Sequence, residues 1–286
     1  MFTLPLADLA SEIGTDAFPL RPSALPKLLE CPASVFMASE FWNKADKDDE
    51  DGGGEAADTG SLMHAGAAEY HRQKMQDSSV SQESRVEAGK EAMLASRDKF
   101  PDANEKRATE IYNAYVQDKT NQVATLVRVE EKVRIEIPPV DFDPTGKPIV
   151  IRGMLDQIRQ MPDGALRVMD IKTGRKFYGE LALHHYMTQQ AAYTLGAIQT
   201  WPEYKSAMIV GGLICTDGYF RKGGKQYWWN SWSIDDIPDL LYGVAVQVAV
   251  ARGGRMIFQP GEACRWCEYG SLSHCRAIYK HHTGER

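Results

Sequence analysis

Asp170 and Lys172 stand two residues apart inside the largely apolar stretch Leu166–Lys176, LRVMDIKTGRK. In an extended strand residues i and i+2 project to the same side, so the acid and the amine share one face while Met169 and Ile171 take the other. Alone, such a string needs nothing beyond an ordinary ion pair on a half-exposed strand. Upstream, however, RGMLDQI carries Asp156, with Gly153 allowing close backbone approach, and a hairpin-like connection through MPDGAL would bring Asp156 beside Asp170. Two carboxylates converging with a lysine suit a hard divalent cation, Mg²⁺ or Mn²⁺, with the ammonium placed to orient a water or to offset developing charge. Without the cation the two carboxylates would repel, and one would tend to protonate.

Those side chains need a scaffold, and the pattern along the chain supplies one. RPSALPKLLECPASVFMASEFW predicts a short helix capped by Ser23 and carrying Cys31. TGSLMHAGAAEYHRQKM predicts another, with Thr59 and Ser61 as caps, and helical patterning continues over Val86–Phe100 and Glu105–Gln117. Alternation in TLVRVEEKVRIEI, PIVIRGMLDQIRQM and ALRVMDIKTG, divided by PTGK and PDG turns, predicts three strands. A helix over ELALHHYMTQQAAYTLGAIQ follows, then strands in SAMIVGGLICTD and KQYWWNSWSI around RKGGK. Last comes a helix over DDIPDLLYGVAVQVAVARGG, with Gly253 beyond its end. That order predicts an α/β or α+β fold, a mixed central sheet with helices packed on it. The expected organisation is one domain over 1–286: a mainly helical part at 20–120 with an acidic loop at 45–60, a sheet core at 121–235, and a C-terminal helix and cysteine segment at 236–286.

A chain of 286 residues with 43% hydrophobic residues can bury a sizeable core without disulfides. No apolar run reaches the roughly 20 residues needed to cross a bilayer, and the N-terminus, interrupted by Asp8, Glu12 and Asp16, does not read as a signal peptide. A cytoplasmic setting with no membrane partner is expected. The net charge of −6 argues against a protein that coats nucleic acid indiscriminately. It is compatible with an enzyme acting on DNA, because ADKDDEDGGGEAADTG concentrates much of the acid in one loop-like stretch.

Taken in order, five short motifs resemble those of the PD-(D/E)XK nuclease superfamily, within its RecB-like branch. GSLMH supplies Gly60 and His64, VEEKV supplies Glu130 and Glu131, GMLD supplies Gly153 and Asp156, DIK supplies Asp170 and Lys172, and QQAAY supplies Gln189 and Tyr193. Each string is common singly; their order across most of the chain is specific. The resemblance implies a restriction-endonuclease-like fold. It also implies a metal-dependent DNA nuclease, in the first instance an exonuclease, acting in recombination, repair, phage DNA processing or CRISPR adaptation and encoded by a bacterium, archaeon or phage. Proteins of those pathways become candidate partners beside the DNA substrate.

By the same resemblance Asp156, Asp170 and the backbone carbonyl of Ile171 hold the cation, with His64 and Glu131 completing the shell. Lys172 positions or deprotonates the attacking water, and Gln189 and Tyr193, one helical turn apart, brace Lys172 or the DNA backbone. Between the two glutamates, Glu131 shares strand parity with Val129 and Val133, which favours it as the inward carboxylate. An alternative is a DNA-binding or assembly subunit that keeps the fold without turnover. The intact acid and lysine set argues against it.

Five cysteines without an export signal make disulfides a poor explanation. CRWCEYGSLSHC contains Cys264, Cys267 and Cys275, and Cys31 or Cys215 could supply a distant fourth ligand. The pattern resembles the iron–sulfur staple of RecB-like and CRISPR-associated exonucleases, which implies a [4Fe–4S] cluster on Cys31, Cys264, Cys267 and Cys275 joining the N- and C-terminal segments. A structural Zn²⁺, with His274 as a further ligand, is the rival occupant. Cys215, in apolar GGLICTD, reads as a buried thiol. Basic residues at Arg175 and Lys176, just past the acidic strand, and at Arg221 and Lys222, in the aromatic-rich GYFRKGGKQYWWNSW, are the candidate DNA contacts.

Overall fold

The protein, as a computed structural model, is described at residues 10–32, 35, 54–173, 179–211, 213–215, 227–228 and 232–255, with the backbone alone at 179–185, 213–215 and 227–228. The chain forms two compact units. One comprises the N-terminal segment to Lys47, Arg134–Gly153 and the segment from Asp236 onward. The other comprises Asp48–Val133 and Met154–Asp235, and it holds every motif residue from Gly60 to Tyr193 except Gly153.

In chain order the helices are α1 Leu25–Glu30, α2 Gly54–Gln76, α3 Gln82–Ala95, α4 Glu105–Gln117, α5 Lys119–Val123, α6 Gly179–Thr200 and α7 Ile237–Arg252. The strands are β1 Thr125–Ile137, β2 Ile149–Gln160, β3 Leu166–Lys172, β4 Met208–Ile209, β5 Leu213–Cys215 and β6 Tyr227–Trp228. They form one mixed sheet in the order β1-β2-β3-β5-β6, with β4 also paired to β3. β2 and β3 are antiparallel, whereas β3 runs parallel to both β4 and β5. The α+β reading and its mixed sheet with packed helices therefore describe the molecule. No helix among the described residues is long and apolar enough to cross a membrane.

Local chemistry explains most boundaries. Ser81, Asn104 and Asp118 cap α3, α4 and α5 by accepting backbone N–H groups of the first turns. Three expected caps do not act as such, Ser61 among them because it lies within α2. Ser23 lies inside a 3₁₀ turn, Pro22–Ala24, that leads directly into α1. Thr59 lies within α2, which already begins at Gly54; its hydroxyl donates to Glu55 O one turn back and accepts from Asn104 N. The single strand expected over SAMIVGGLICTD is two short ones, because Gly211, at φ 122°, interrupts it with a backbone conformation other residues rarely adopt.

In the second unit α2, α3 and α4 share an apolar core of Leu62, Met63, Tyr70, Met93, Ile111, Tyr112 and Tyr115, and Ile171 of β3 joins it. Burying each such side chain is worth about 1.5–3 kcal/mol. This layer claims the face of β3 that carries Ile171, so by strand alternation Asp170 and Lys172 must turn to the other side. α2 and α3 cross at two glycines: a Cβ on Gly89 would lie 2.7 Å from Gly66 O and 2.0 Å from the Tyr112 hydroxyl.

In the first unit Leu20 bridges to Ile151, and Ile13, Leu25, Leu28, Ile149, Ile237, Leu241 and Val244 are buried. Arg252 at the end of α7 anchors it. Its guanidinium pairs with Asp143 at 2.7 Å, both side chains fully buried, and also donates to the carbonyls of Ile13, Gly14, Lys147 and Pro148.

Candidate active site

The hairpin that joins β2 to β3 sets the register. Gln157 pairs with Met169, which puts Asp156 at the level of Asp170 on the neighbouring strand. The N–H of Ile171 donates to Asp156 Oδ2 at 2.6 Å, fixing that carboxylate at the strand junction. Asp170 is 5% exposed and its Oδ2 lies 2.6 Å from Lys172 Nζ. The ammonium also sits 5.3 Å from the ring centroid of Tyr186 on α6.

His64 reaches this junction from α2. Its Nε2 is 3.1 Å from Ile171 O, and because a carbonyl only accepts, Nε2 carries the proton. Nδ1 then faces two carboxylates, Asp156 at 3.4 Å and Glu130 at 3.7 Å. The reason for glycine one turn earlier is steric: a Cβ on Gly60 would lie 2.8 Å from Thr173 Oγ1, next to the end of β3. Gly60 lets the helix lie against the strand that carries the acid and the lysine.

Glu130, rather than Glu131, is the β1 carboxylate that lies within reach of His64. Parity with Val129 and Val133 identified the apolar face, but the site uses the other set of side chains. Glu130 is moreover the one non-glycine residue with positive φ among the described residues, at 52°, a backbone conformation uncommon for such a residue. From α6, Gln189 and Tyr193 are both buried, at 2% and 7% exposure, and Gln189 hydrogen-bonds the Tyr193 hydroxyl. Burial, then the Asp170 and Asp156 carboxylates, push the Tyr193 phenol up, keeping it neutral.

Charge in the cluster is tightly balanced. Burial works against a charged His64, but Asp156 and Glu130 outweigh it and hold the imidazole well above its ordinary range. Burial raises Asp156, and His64, the Ile171 N–H and Lys172 more than reverse that. Asp170 goes the other way, raised by burial and by its neighbour Asp156 against the pull of Lys172. Lys172 is disfavoured by burial yet raised on balance by Asp170, so it is an ammonium. A cluster with a protonated imidazole and one carboxyl driven upward has the electrostatics of a site suited to a further positive charge.

The donors fit a divalent cation. One ligand atom each from His64, Glu130 and Asp156 lie within 4.8 Å of one another; the carboxylate oxygens suit Mg²⁺ or Mn²⁺, and His64 would join them on giving up its Nδ1 proton. Asp170 lies beside this trio, held by Lys172, and the Ile171 carbonyl is engaged by His64. Behind the trio a buried polar network braces β2 against the helices. The Tyr115 hydroxyl meets His71 Nε2 at 2.8 Å, Gln157 Nε2 at 2.9 Å and Arg159 at 3.0 Å. Sequence reading had not singled out this network or Tyr186, since nothing in the local pattern marks either.

The family model of the PD-(D/E)XK nuclease superfamily matches residues 19–272. The chain belongs to that superfamily. No curated protein matches it. Solved structures do. A candidate exonuclease from Eubacterium rectale overlays with a TM-score of 0.44 at 13% identity, covering 82% of this chain and 79% of that one. The crystal structure of SSO0001 overlays with a TM-score of 0.34 at 16% identity, covering 75% of this chain and 83% of that one. Within this PD-(D/E)XK chain, Arg175, Lys176, Arg221, Lys222, Cys264, Cys267 and Cys275 lie outside the described residues. Cys31 ends α1, partly exposed, and Cys215 ends β5.

Proposed function

We propose that this superfamily member is a metal-dependent deoxyribonuclease that removes nucleotides from DNA ends. The observation that carries the reading is the convergence of His64, Glu130 and Asp156 beside the Asp170–Lys172 pair. His64, Glu130 and Asp156 would hold Mg²⁺ or Mn²⁺, with Asp170 as a further oxygen donor; the Ile171 carbonyl instead accepts the His64 Nε2–H, and Glu131 lies outside the set. When bound, the cation supplies Lewis-acid stabilisation of the phosphate and a more acidic water.

The chain's own groups do the rest. Asp156 is locked by the Ile171 N–H, and His64 by the Ile171 carbonyl, so the donors are in place before substrate arrives. Lys172, paired with Asp170, donates hydrogen bonds to the attacking water or to a phosphate oxygen. The water oxygen attacks phosphorus, the bond from phosphorus to the leaving oxygen breaks, and the proton that the water gives up is balanced by one taken up from solvent at that leaving oxygen. Tyr193 and Gln189 hold the wall facing Asp170. Arg175, Lys176, Arg221 and Lys222 are proposed phosphate contacts. Cys31, Cys264, Cys267 and Cys275 are proposed to hold a structural [4Fe–4S] cluster, as in the RecB-like branch, with zinc as the competing occupant. A cytoplasmic setting and a role in recombination, repair, phage DNA processing or CRISPR adaptation belong to the same proposal.

The test compares anaerobically purified wild type with Asp170→Ala and Lys172→Ala on end-labelled linear and closed circular DNA, in Mn²⁺, Mg²⁺ or EDTA. Loss of linear DNA by wild type alone, only with metal and with circles intact, supports the exonuclease. Folded protein that cuts neither substrate in any metal sinks it and leaves a DNA-binding subunit.

A further inference from the structure

Two residues before Glu130 on β1, Arg128 lies over two aromatic rings, its guanidinium carbon 5.0 Å from the Trp201 centroid and 5.4 Å from that of Tyr204. The rings are themselves neighbours, 5.9 Å apart and tilted by 37°. They are presented by a short rigid turn at the end of α6: Trp201 N donates to Ala197 O and Tyr204 N to Trp201 O. All three side chains are partly exposed, and Lys205 beside them is exposed. Arg128 makes no ion pair among the described residues, and its guanidinium donates to the adjacent Val127 O. β1 is an edge strand of the sheet, so no further strand covers this side among the described residues.

The position gives this cluster its meaning. Arg128 shares strand parity with Glu130, about 7 Å away along β1, a distance of about two nucleotides on a DNA strand, at about 3.4 Å each. From the other direction α6 carries Tyr193 at the site and ends at Thr200, just before Trp201. The same two elements that build the cation cluster therefore also build an aromatic and cationic surface beside it.

We infer that Arg128, Trp201 and Tyr204 form a platform that receives an unpaired DNA strand next to the scissile phosphate. The rings and the planar guanidinium offer stacking faces to bases of any identity, and the unneutralised charge draws the phosphates. A base inside an intact duplex has no free face to offer, so the platform selects single-stranded ends. The inference deepens the nuclease reading and rests on it for the word scissile. Strand binding itself can be measured without catalysis.

The experiment is fluorescence anisotropy in EDTA with the full chain and labelled oligothymidylate, against a blunt duplex of the same length. Arg128→Ala and Trp201→Ala should weaken single-strand binding about 5- to 100-fold, Arg128→Ala should reduce the salt slope by about one, and duplex binding should be unchanged. Unchanged single-strand binding, or equal weakening on the duplex, overturns the inference. Trp201→Phe keeps a ring under Arg128 and serves if the alanine variants misfold. The emission that it removes from wild type should be quenched by the oligonucleotide, and an unquenched component counts against the platform. Protein that cuts DNA but binds it normally without Arg128 fails only this inference, whereas protein that binds through Arg128 but never cuts fails only the nuclease reading.

Discussion

Asp156 divides its two carboxylate oxygens between a backbone and a side chain: Oδ2 accepts the Ile171 N–H at 2.6 Å, and Oδ1 faces His64 Nδ1 at 3.4 Å. One oxygen is structural and the other is left for chemistry. Asp156→Asn can keep the first contact through its amide oxygen while losing the charge. We expect a folded protein with an unaltered melting temperature and cleavage reduced at least about 100-fold, the scale of losing one preorganised electrostatic group. Near wild-type cleavage by that variant would remove Asp156 from the reacting shell.

Gly60→Ala should harm activity more than stability. Alanine favours the helix by about 1 kcal/mol, but its methyl would meet Thr173 Oγ1 at 2.8 Å and push α2, with His64, away from β3. Thr173→Ala removes the opposing atom, so the double variant should recover most of the lost cleavage. Strictly additive losses across the four proteins would show that the two positions are not coupled through this contact.

His71 gives the protein an acid-sensitive core. Burial first, then Arg159, Lys74 and Arg85, hold its imidazole well below the ordinary value, so the folded protein keeps it neutral. The unfolded chain protonates it near pH 6.5. The unfolded state then binds the extra proton, so stability is complete above that pH and falls as pH drops below it, by up to about 1.4 kcal/mol per pH unit. Urea unfolding of wild type and His71→Gln between pH 7 and 5 checks this. The variant should show the shallower dependence, and parallel curves would exclude His71 as the source.

Arg252 and Asp143 form a pair with neither side chain exposed. Removing one partner strands a buried charge, and Asp143→Ala should destabilise the unit by about 3–5 kcal/mol. Arg252→Met with Asp143→Leu should lose less than the sum of the single changes, as read from denaturant midpoints.

Cys31 tests the cysteine proposal with no reference to activity. Anaerobic wild-type protein should be brown and contain iron, and Cys31→Ala should lose both. Zinc without iron in the wild type would replace the cluster by the structural metal site.

How much of this was readable in advance depends on the range over which each feature is encoded. Asp170 and Lys172 stood out because charges within an apolar strand need a local reason, and the β2–β3 hairpin that delivers Asp156 is written in the intervening PDG turn. His64 was reached through the family resemblance carried by GSLMH, but the purpose of Gly60, clearance for Thr173, depends on how α2 meets β3. Glu131 was favoured over Glu130 because alternation reports which side of a strand is apolar, whereas the carboxylate near His64 is on the other side. Arg128 with Trp201, and His71 with Arg159, are paired across long stretches of chain and leave no periodic trace. The caps at Ser23, Thr59 and Ser61 failed for a simpler reason. Each lies inside a turn or helix that had already started.

The glycines at which α2 and α3 cross carry a lesson about tolerance to change. With Gly89 bounded by Gly66 O and the Tyr112 hydroxyl, and Gly66 by Met93, neither helix can slide along the other without a collision. Longitudinal play at that crossing would reach His64 directly, because Gly66 lies only two residues beyond it. The crossing acts as a dowel, so exchange in this superfamily member should be freer among the residues lining its DNA path than at two positions that never touch DNA.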